Sequence, residues 1–145
     1  MTDTAEKIER SGQCLCGAVK ITAKADGHGV GSCHCTMCRR WGSGPFMDLD
    51  CGTDVVIEGD EHITRYQSSD WAERAFCAQC GTNLFYRLKE TDYHIVSVGL
   101  FEPEDEMALK MEVFIDEKPD FYSFAGDAQK LTGAELFAMM QGQSE

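Results

Sequence analysis

The sequence has few basic residues and no long apolar run. Lys and Arg together number 13 against 25 Asp and Glu, which gives a formal net charge of -12 at pH 7. Nucleic acids and anionic membranes bind clustered Lys and Arg, so this charge argues against both as partners. No stretch approaches the roughly 18 consecutive apolar residues of a membrane-spanning helix. The first residues, MTDTAEKIERSGQ, lack the basic start and apolar segment of a secretory leader, so we expect a cytoplasmic protein.

The sequence also lacks internal repeats and low-complexity segments, and its 145 residues suit a single domain over 1–145. Most of the chain consists of short stretches rich in β-branched and aromatic residues, bounded by Gly, Asp or Asn, which is typical of strands. The predicted strands are 18–23, 44–51, 54–59, 62–68, 74–80, 82–88, 93–99 and 111–116. The pattern predicts a mainly β fold of antiparallel strands.

One helix is predicted, near the C-terminus, over about 132–141. Thr132 and Glu135 have the S/T-x-x-E spacing of a capping box, in which each side chain bonds the backbone N–H of the other residue. Apolar residues follow at helical spacing. We therefore predict a short C-terminal helix.

Cysteine is unusually frequent, with eight in the chain. Seven of them form three clusters, and Cys51 stands alone as a candidate small buried residue. Disulfides are rarely maintained in a reducing cytosol, and such tight spacing disfavours pairing within a cluster. The cysteines therefore predict metal binding, and zinc is the ion that such clusters most often hold.

Two of the clusters have the spacing of chelating pairs. Cys14 and Cys16 lie two apart, so in a strand both side chains point to one face. Cys77 and Cys80, followed by a glycine, form the C-x-x-C-G of a zinc knuckle. Brought together, the two pairs would supply four thiolates and a closed structural zinc site. The alternative is four buried cysteines without a ligand.

The third cluster, in GSCHCTMCRR, offers three thiolates on one loop: Cys33, Cys35 and Cys38. Three protein ligands with an exchangeable fourth position are the pattern of catalytic zinc. The sequence leaves the fourth ligand open between water, a substrate, His34, Cys51 and a distant residue, although strand alternation turns His34 away from its neighbours. A further alternative is that this second, labile site holds metal weakly or not at all.

The order C-x-C-G, C-H-C-x-x-C-R and C-x-x-C-G resembles the glutathione-dependent formaldehyde-activating enzyme family, which also includes centromere protein V. The segments SGQCLCGAVKI, CHCTMCRRWGSGPF, FCAQCGTNLFY and DEKPDFYSFAGD carry the likeness, which runs over about 13–125. It implies a zinc-stabilised antiparallel β-tent. It also implies that the structural ligands are Cys14, Cys16, Cys77 and Cys80, and that Cys33, Cys35 and Cys38 are the ligands of the catalytic-type zinc.

The resemblance further implies a carbon–sulfur lyase that joins glutathione and formaldehyde as S-hydroxymethylglutathione. A thiol that binds zinc is deprotonated, which provides a nucleophile at neutral pH. The sequence shows neither a local Ser-His-Asp motif nor a carboxylate dyad, and this addition needs neither. Because the substrate is anionic, Arg39 and Arg40 are candidate attractors. Trp41 is a candidate lining residue.

The sequence is also compatible with two other functions. One is a non-catalytic zinc scaffold that binds a protein partner through its acidic surface, including the loop FEPEDEM. The other is a redox switch in which the three-cysteine loop oxidises when its ion leaves. The sequence also leaves open whether the chain forms a homo-oligomer.

Overall fold

The computed structural model describes residues 7–143, which form eleven strands and two α-helices together with short 3-10 turns. The strands are β1 (Lys7–Gln13), β2 (Lys20–Asp26), β3 (Gly29–Cys33), β4 (Phe46–Gly52), β5 (Val55–Glu58), β6 (Ile63–Gln67), β7 (Ala72–Cys77), β8 (Asn83–Leu88), β9 (Tyr93–Ser97), β10 (Ala108–Val113) and β11 (Gln129–Leu131). The helices are α1 (Thr36–Gly42) and α2 (Gly133–Gln143). The prediction of a mainly β chain with a short C-terminal helix is confirmed.

Eight of the strands overlap the predicted ones, and three strands and one helix were not predicted. The unpredicted elements are β1, β3, β11 and α1. The described residues divide into two compact units, one of residues 7–28 and 48–106 and the other of residues 29–47 and 107–143. The assignment of the whole chain to one domain stays a prediction.

The first unit contains two antiparallel sets of strands. In one set β2 lies between β1 and β5, and alternation along β2 buries Ile21, Ala23 and Ala25 while Lys24 is exposed. In the other the order is β4, β9, β8, β7 and β6. The largest fully buried side chain of the unit is Phe85 on β8. These strands fix the positions of two turns, one after β1 and one after β7, that carry cysteines.

The second unit departs from the antiparallel prediction. Its central strand, β10, pairs in parallel with both β3 and β11. Parallel strands need long connections, and here residues 48–106 of the other unit lie between β3 and β10 in the sequence. The residue pattern of a strand does not show whether its neighbours run parallel or antiparallel to it. Strand direction depends on the path of the chain between the paired strands.

Two residues separate β3 from helix α1, and the second of them, Cys35, caps the helix. The sulfur of Cys35 accepts a hydrogen bond from the backbone N–H of Cys38 at 3.4 Å. The helix ends at Gly42 and is followed by Ser43, which has a φ of 66°. The segment predicted to be a loop carrying Cys33, Cys35 and Cys38 therefore includes the first turn of a helix.

Helix α2 begins with the predicted capping box. The backbone N–H of Glu135 donates to the Thr132 hydroxyl at 3.1 Å, and the backbone N–H of Thr132 donates to the Glu135 carboxylate at 2.8 Å. The reciprocal bonds satisfy two amide groups at the start of the helix. Among residues 7–143, no helix is both long and apolar enough to cross a membrane.

Candidate metal centres

The first cysteine cluster lies in the first unit, where two similar turns meet. After β1, the backbone N–H of Gly17 donates to the carbonyl of Cys14 at 3.1 Å. After β7, the backbone N–H of Gly81 donates to the carbonyl of Cys77 at 2.8 Å. Both glycines have a φ of 81°, a conformation that side chains disfavour. In both turns a glycine of positive φ directly follows the second cysteine.

The four sulfur atoms of this cluster, from Cys14, Cys16, Cys77 and Cys80, all lie within 4.8 Å of one another. The sulfur of Cys16 is 3.7 Å from that of Cys14 and 3.8 Å from that of Cys77. A tetrahedral zinc with Zn–S bonds of about 2.3 Å has sulfur–sulfur edges of about 3.8 Å. The donor set and its spacing therefore fit a zinc ion with four thiolate ligands.

The thiols of the cluster have unequal acidities. Hydrogen bonding to Thr82 lowers the pKa of Cys80 to about 5. Although the backbone at Ala18 acts to lower it, burial and the neighbouring thiols raise the pKa of Cys16 to about 11. Neighbouring thiolates repel one another, so full ionisation of the set requires a cation among them. This is the electrostatic environment expected of a metal site.

The second cluster lies in the second unit, at the junction of β3 and α1. Cys33 is the last residue of β3, Cys35 caps α1 and Cys38 lies in its first turn. Their sulfur atoms all lie within 4.8 Å of one another. Interactions with Cys35 and Cys38, together with burial, raise the pKa of the Cys33 thiol. Three soft donors at this spacing also fit zinc.

The fourth position of the second cluster is open in the part of the chain that the structure describes. No other Cys, His, Asp or Glu among residues 7–143 joins the three sulfur atoms as a ligand group. Two residues that the sequence offered as a fourth ligand, His34 and Cys51, do not belong to this group. His34 bonds Glu112 and Tyr122 through its two ring nitrogens. Cys51 is buried on β4, as predicted for a small core residue, and burial raises its pKa to about 12.

The three predicted substrate-binding residues lie on α1, on the turns that follow Cys38. The Nε of Arg39 donates to the backbone carbonyl of His34 at 3.0 Å. Arg40 is exposed, and the ring of Trp41 packs against that of Phe46 with 5.4 Å between centroids. Arg39 thus has a structural contact as well as a charge. The substrate-binding role of all three, and the ligand roles of the seven cysteines, stay predictions.

Sequence reasoning missed the polar residues that support the second cluster. Glu112 lies on β10 with 2% of its surface exposed, and Glu117 accepts hydrogen bonds from the backbone N–H and hydroxyl of Thr36. The sequence carries no signal for Glu112, because its apolar neighbours Met111 and Val113 predict that the side chain between them points to solvent. A carboxylate at a core position needs a partner.

Comparison with known protein families gives independent evidence about the two cysteine clusters. The family model for the glutathione-dependent formaldehyde-activating enzyme matches residues 9–117, a range that contains both cysteine clusters. The chain belongs to this family. The formaldehyde-activating family thus includes a chain whose seven clustered cysteines come together in two groups, in the partition that their spacing predicted.

Two individual proteins are similar to this family member. An uncharacterized lyase from Schizosaccharomyces pombe is 34% identical over 129 residues, which are 88% of this chain and 94% of that protein. A Rhodobacter sphaeroides protein of known crystal structure is 28% identical with a TM-score of 0.57, covering 66% of this chain and 90% of the other. The family assignment therefore has support from sequence and from fold.

Proposed function

We propose that this protein is a zinc-dependent lyase-type enzyme that forms a carbon–sulfur bond between a small thiol, such as glutathione, and formaldehyde. The observation that carries the proposal is the three-cysteine cluster with no fourth protein ligand among the described residues. Membership of the formaldehyde-activating family supports the substrates. The name of the fission-yeast relative supports a lyase.

The two clusters have different tasks in this proposal. Cys14, Cys16, Cys77 and Cys80 would hold a closed zinc whose role is structural. Cys33, Cys35 and Cys38 would hold the second zinc. When bound, that zinc supplies acidity, because it lowers the pKa of a thiol that occupies its open position and so provides a nucleophile at neutral pH.

The reaction balances without an oxidant, a reductant or a further substrate. A bond forms between the sulfur of the thiol and the carbon of formaldehyde, the carbonyl π bond breaks, and the proton lost by sulfur ends on the former carbonyl oxygen. The reverse reaction releases the aldehyde, which is the direction that defines a carbon–sulfur lyase. The protein's contribution is to position the two reactants and to favour the thiolate.

Charge on α1 is the means by which the protein would attract an anionic thiol. The formal net charge of -12 repels glutathione at long range. Arg39 and Arg40 lie in the last turn of α1, next to Cys38, and no acidic residue lies in the first turn of that helix. We assign to Arg40, whose side chain is exposed, the contact with a substrate carboxylate.

The proposed substrates also favour a reducing compartment. A free thiol substrate and seven clustered thiols are maintained where disulfides are kept reduced. We therefore propose that the protein acts in the cytoplasm.

The test is direct observation of adduct formation. Zinc-loaded protein is mixed with glutathione and carbon-13 formaldehyde, and exchange between the free aldehyde and the adduct is followed by NMR. We expect exchange faster than the uncatalysed rate, and loss of that acceleration in Cys35→Ser. Cys51→Ser, which alters a buried cysteine outside both clusters, is the matched control and should retain it. If the protein binds two zinc ions and the exchange still proceeds only at the uncatalysed rate, the proposal is rejected.

A further inference from the structure

Four hydrogen bonds converge on His34, the residue between two cysteines of the second cluster. Its backbone N–H donates to the carbonyl of Val113 at 3.1 Å, and its carbonyl accepts from Nε of Arg39 at 3.0 Å. Its Nε2 lies 2.9 Å from Oε1 of Glu112, and its Nδ1 lies 2.8 Å from the hydroxyl of Tyr122. Every polar group of His34 therefore has a partner.

The ring contacts determine how the imidazole is oriented. A carboxylate accepts hydrogen bonds, so Nε2 donates to Glu112, and in the neutral ring Nδ1 then accepts from the Tyr122 hydroxyl. The ring also packs against that of Tyr122, with 5.5 Å between centroids, and against Phe124 at 5.8 Å. We call His34, Glu112 and Tyr122 the His34 clamp. The clamp holds the ring at both nitrogens, and Phe124 packs against it from outside the clamp.

Burial of the polar groups of the His34 clamp costs free energy. The side chain of His34 is 0% exposed and that of Glu112 is 2% exposed, and Nζ of Lys130 lies 3.7 Å from the other carboxylate oxygen. Apolar side chains at such positions are often at least as stabilising as a buried ionic or polar pair. Stability alone therefore does not account for the clamp, and its geometric effect on the neighbouring residues needs to be considered.

That effect follows from strand alternation. Neighbouring side chains of an extended segment point to opposite faces, so an inward His34 directs Cys33 and Cys35 to the other face. The bond from Arg39 then ties the same residue to α1, the helix that carries Cys38. The backbone and side chain of one buried residue are thus connected to all three cysteine positions.

We propose that His34 is a positioning residue for the second metal centre: the His34 clamp holds the three sulfur atoms at metal-binding spacing before an ion arrives. The inference rests on the proposed function in one respect, that the three cysteines hold a metal. Residues that orient metal ligands without contacting the ion typically change metal affinity by about 10- to 100-fold when they are replaced. His34 itself is not a ligand in this proposal.

The experiment measures metal binding rather than turnover. Cobalt(II) replaces zinc, because thiolate-to-cobalt charge-transfer and ligand-field bands report both affinity and coordination geometry. The triple variant Cys33→Ser, Cys35→Ser, Cys38→Ser supplies the spectrum of the four-cysteine cluster alone, and its subtraction isolates the second centre. Tyr122→Phe removes one clamp contact while keeping the aromatic ring. His34→Ala removes the clamp, and His34→Gln restores an amide that can reach Glu112.

The matched control is His94→Ala. His94 is also a buried histidine, 5% exposed, but it lies in the other unit, where its ring packs edge-on against Phe85. Its replacement is expected to reduce overall stability to a similar degree. It should leave the cobalt affinity and the bands of the second centre unchanged.

We expect cobalt affinity at the second centre to fall about 10-fold in Tyr122→Phe and up to about 100-fold in His34→Ala, with altered ligand-field bands and partial recovery in His34→Gln. Unchanged affinity and bands in both clamp variants, with normal binding in the wild-type protein, would overturn the clamp and leave the proposed function intact. An equal loss in His94→Ala would also overturn it. A wild-type spectrum identical to that of the triple variant would overturn both, since the cluster would then bind no metal.

Discussion

Cys16 and Cys77 are 61 residues apart in the sequence, and their sulfur atoms lie 3.8 Å apart. Each belongs to a turn that also supplies a second thiol of the cluster, Cys14 in one case and Cys80 in the other. The cluster therefore joins the end of β1 to the end of β7 through side chains. A metal ion bound there would act as a cross-link between two distant segments of the first unit.

Replacement of Cys80 by Ser should unfold the protein, whereas replacement of Cys35 should not. Structural zinc sites contribute about 10–16 kcal/mol in small peptides, which equals or exceeds the roughly 5–15 kcal/mol of stability of a typical domain. Cys35→Ser should lose only the metal of the second cluster. The measurement is circular dichroism with zinc per chain on both variants, and equal loss of folding would contradict separate roles.

Gly59→Ala should destabilise the first unit by about 3 kcal/mol or more, through overpacking and backbone strain. Gly59 has a φ of 86°, and a Cβ there would lie 2.0 Å from the carbonyl oxygen of Ala18. The three nearest atoms are all backbone atoms of Ala18 and Val19, so no side chain can move aside. Urea unfolding measures the loss. Gly99→Ala is the control, since its nearest contact would be Oγ of Ser97 at 3.9 Å, and a similar loss there would contradict this explanation.

Glu73 should make stability depend on acid pH. Burial alone would raise the pKa of Glu73, but hydrogen bonds from Arg87 and Arg65, at 3.0 and 2.6 Å, lower it overall. Because the folded pKa lies below the unfolded value of 4.5, the contribution is complete above that pH and is lost as the pH falls through the folded pKa.

The variant Glu73→Gln tests whether the stability from Glu73 is lost as the pH falls. We expect a loss of about 2 kcal/mol at neutral pH and a smaller decline in stability below a pH of about 4.5 than in the wild-type protein. Urea unfolding from about pH 7 to about pH 3 gives both quantities. Asp92→Asn changes an exposed partner of Arg87 and should cost less than about 1 kcal/mol. Parallel pH profiles for Glu73→Gln and the wild type would refute the prediction.

Thr132→Ala should weaken α2 by about 1 kcal/mol, because the backbone N–H of Glu135 would lose its acceptor. Thermal unfolding with hydrogen exchange of the helix amides is the measurement. Ser123→Ala, at an exposed loop position, should have no measurable effect. If both variants unfold at the same temperature as the wild type, the capping box contributes nothing to stability.

The grouping of the cysteines could be predicted because it depends on local geometry. A spacing of two in extended backbone, or a tight turn with glycine after the second cysteine, directs two sulfur atoms to one side. Cys14 and Cys16 lie in the turn after β1 and not on the strand for which their spacing was interpreted. The partition into four and three required only that such pairs meet. What the spacing could not supply was the second cluster's surroundings, because Glu112 and Tyr122 are brought to His34 from 78 and 88 residues away.

The unpredicted elements have identifiable physical causes. β1, KIERSGQ, has one apolar residue, and its buried Arg10 is matched by an ion pair with Glu104 at 2.8 Å. β3, GVGSC, contains two glycines, which are depleted in strands. α1 is seven residues long and is capped by Cys35, and cysteine is not among the usual capping residues. β1 and β3 therefore depend on tertiary partners, Glu104 and strand β10, whereas α1 begins at a local cap of an unusual residue type.

The long sequence separation within the four-cysteine cluster also has a kinetic consequence. Closing a loop of that length in an unfolded chain costs on the order of 4 kcal/mol of entropy, whereas Cys33, Cys35 and Cys38 span a single short segment. During refolding with scarce zinc, the ion should therefore reach the local thiols first. The four-cysteine cluster would fill only as β7 docks, so the supply of metal would set the pace of folding for the first unit.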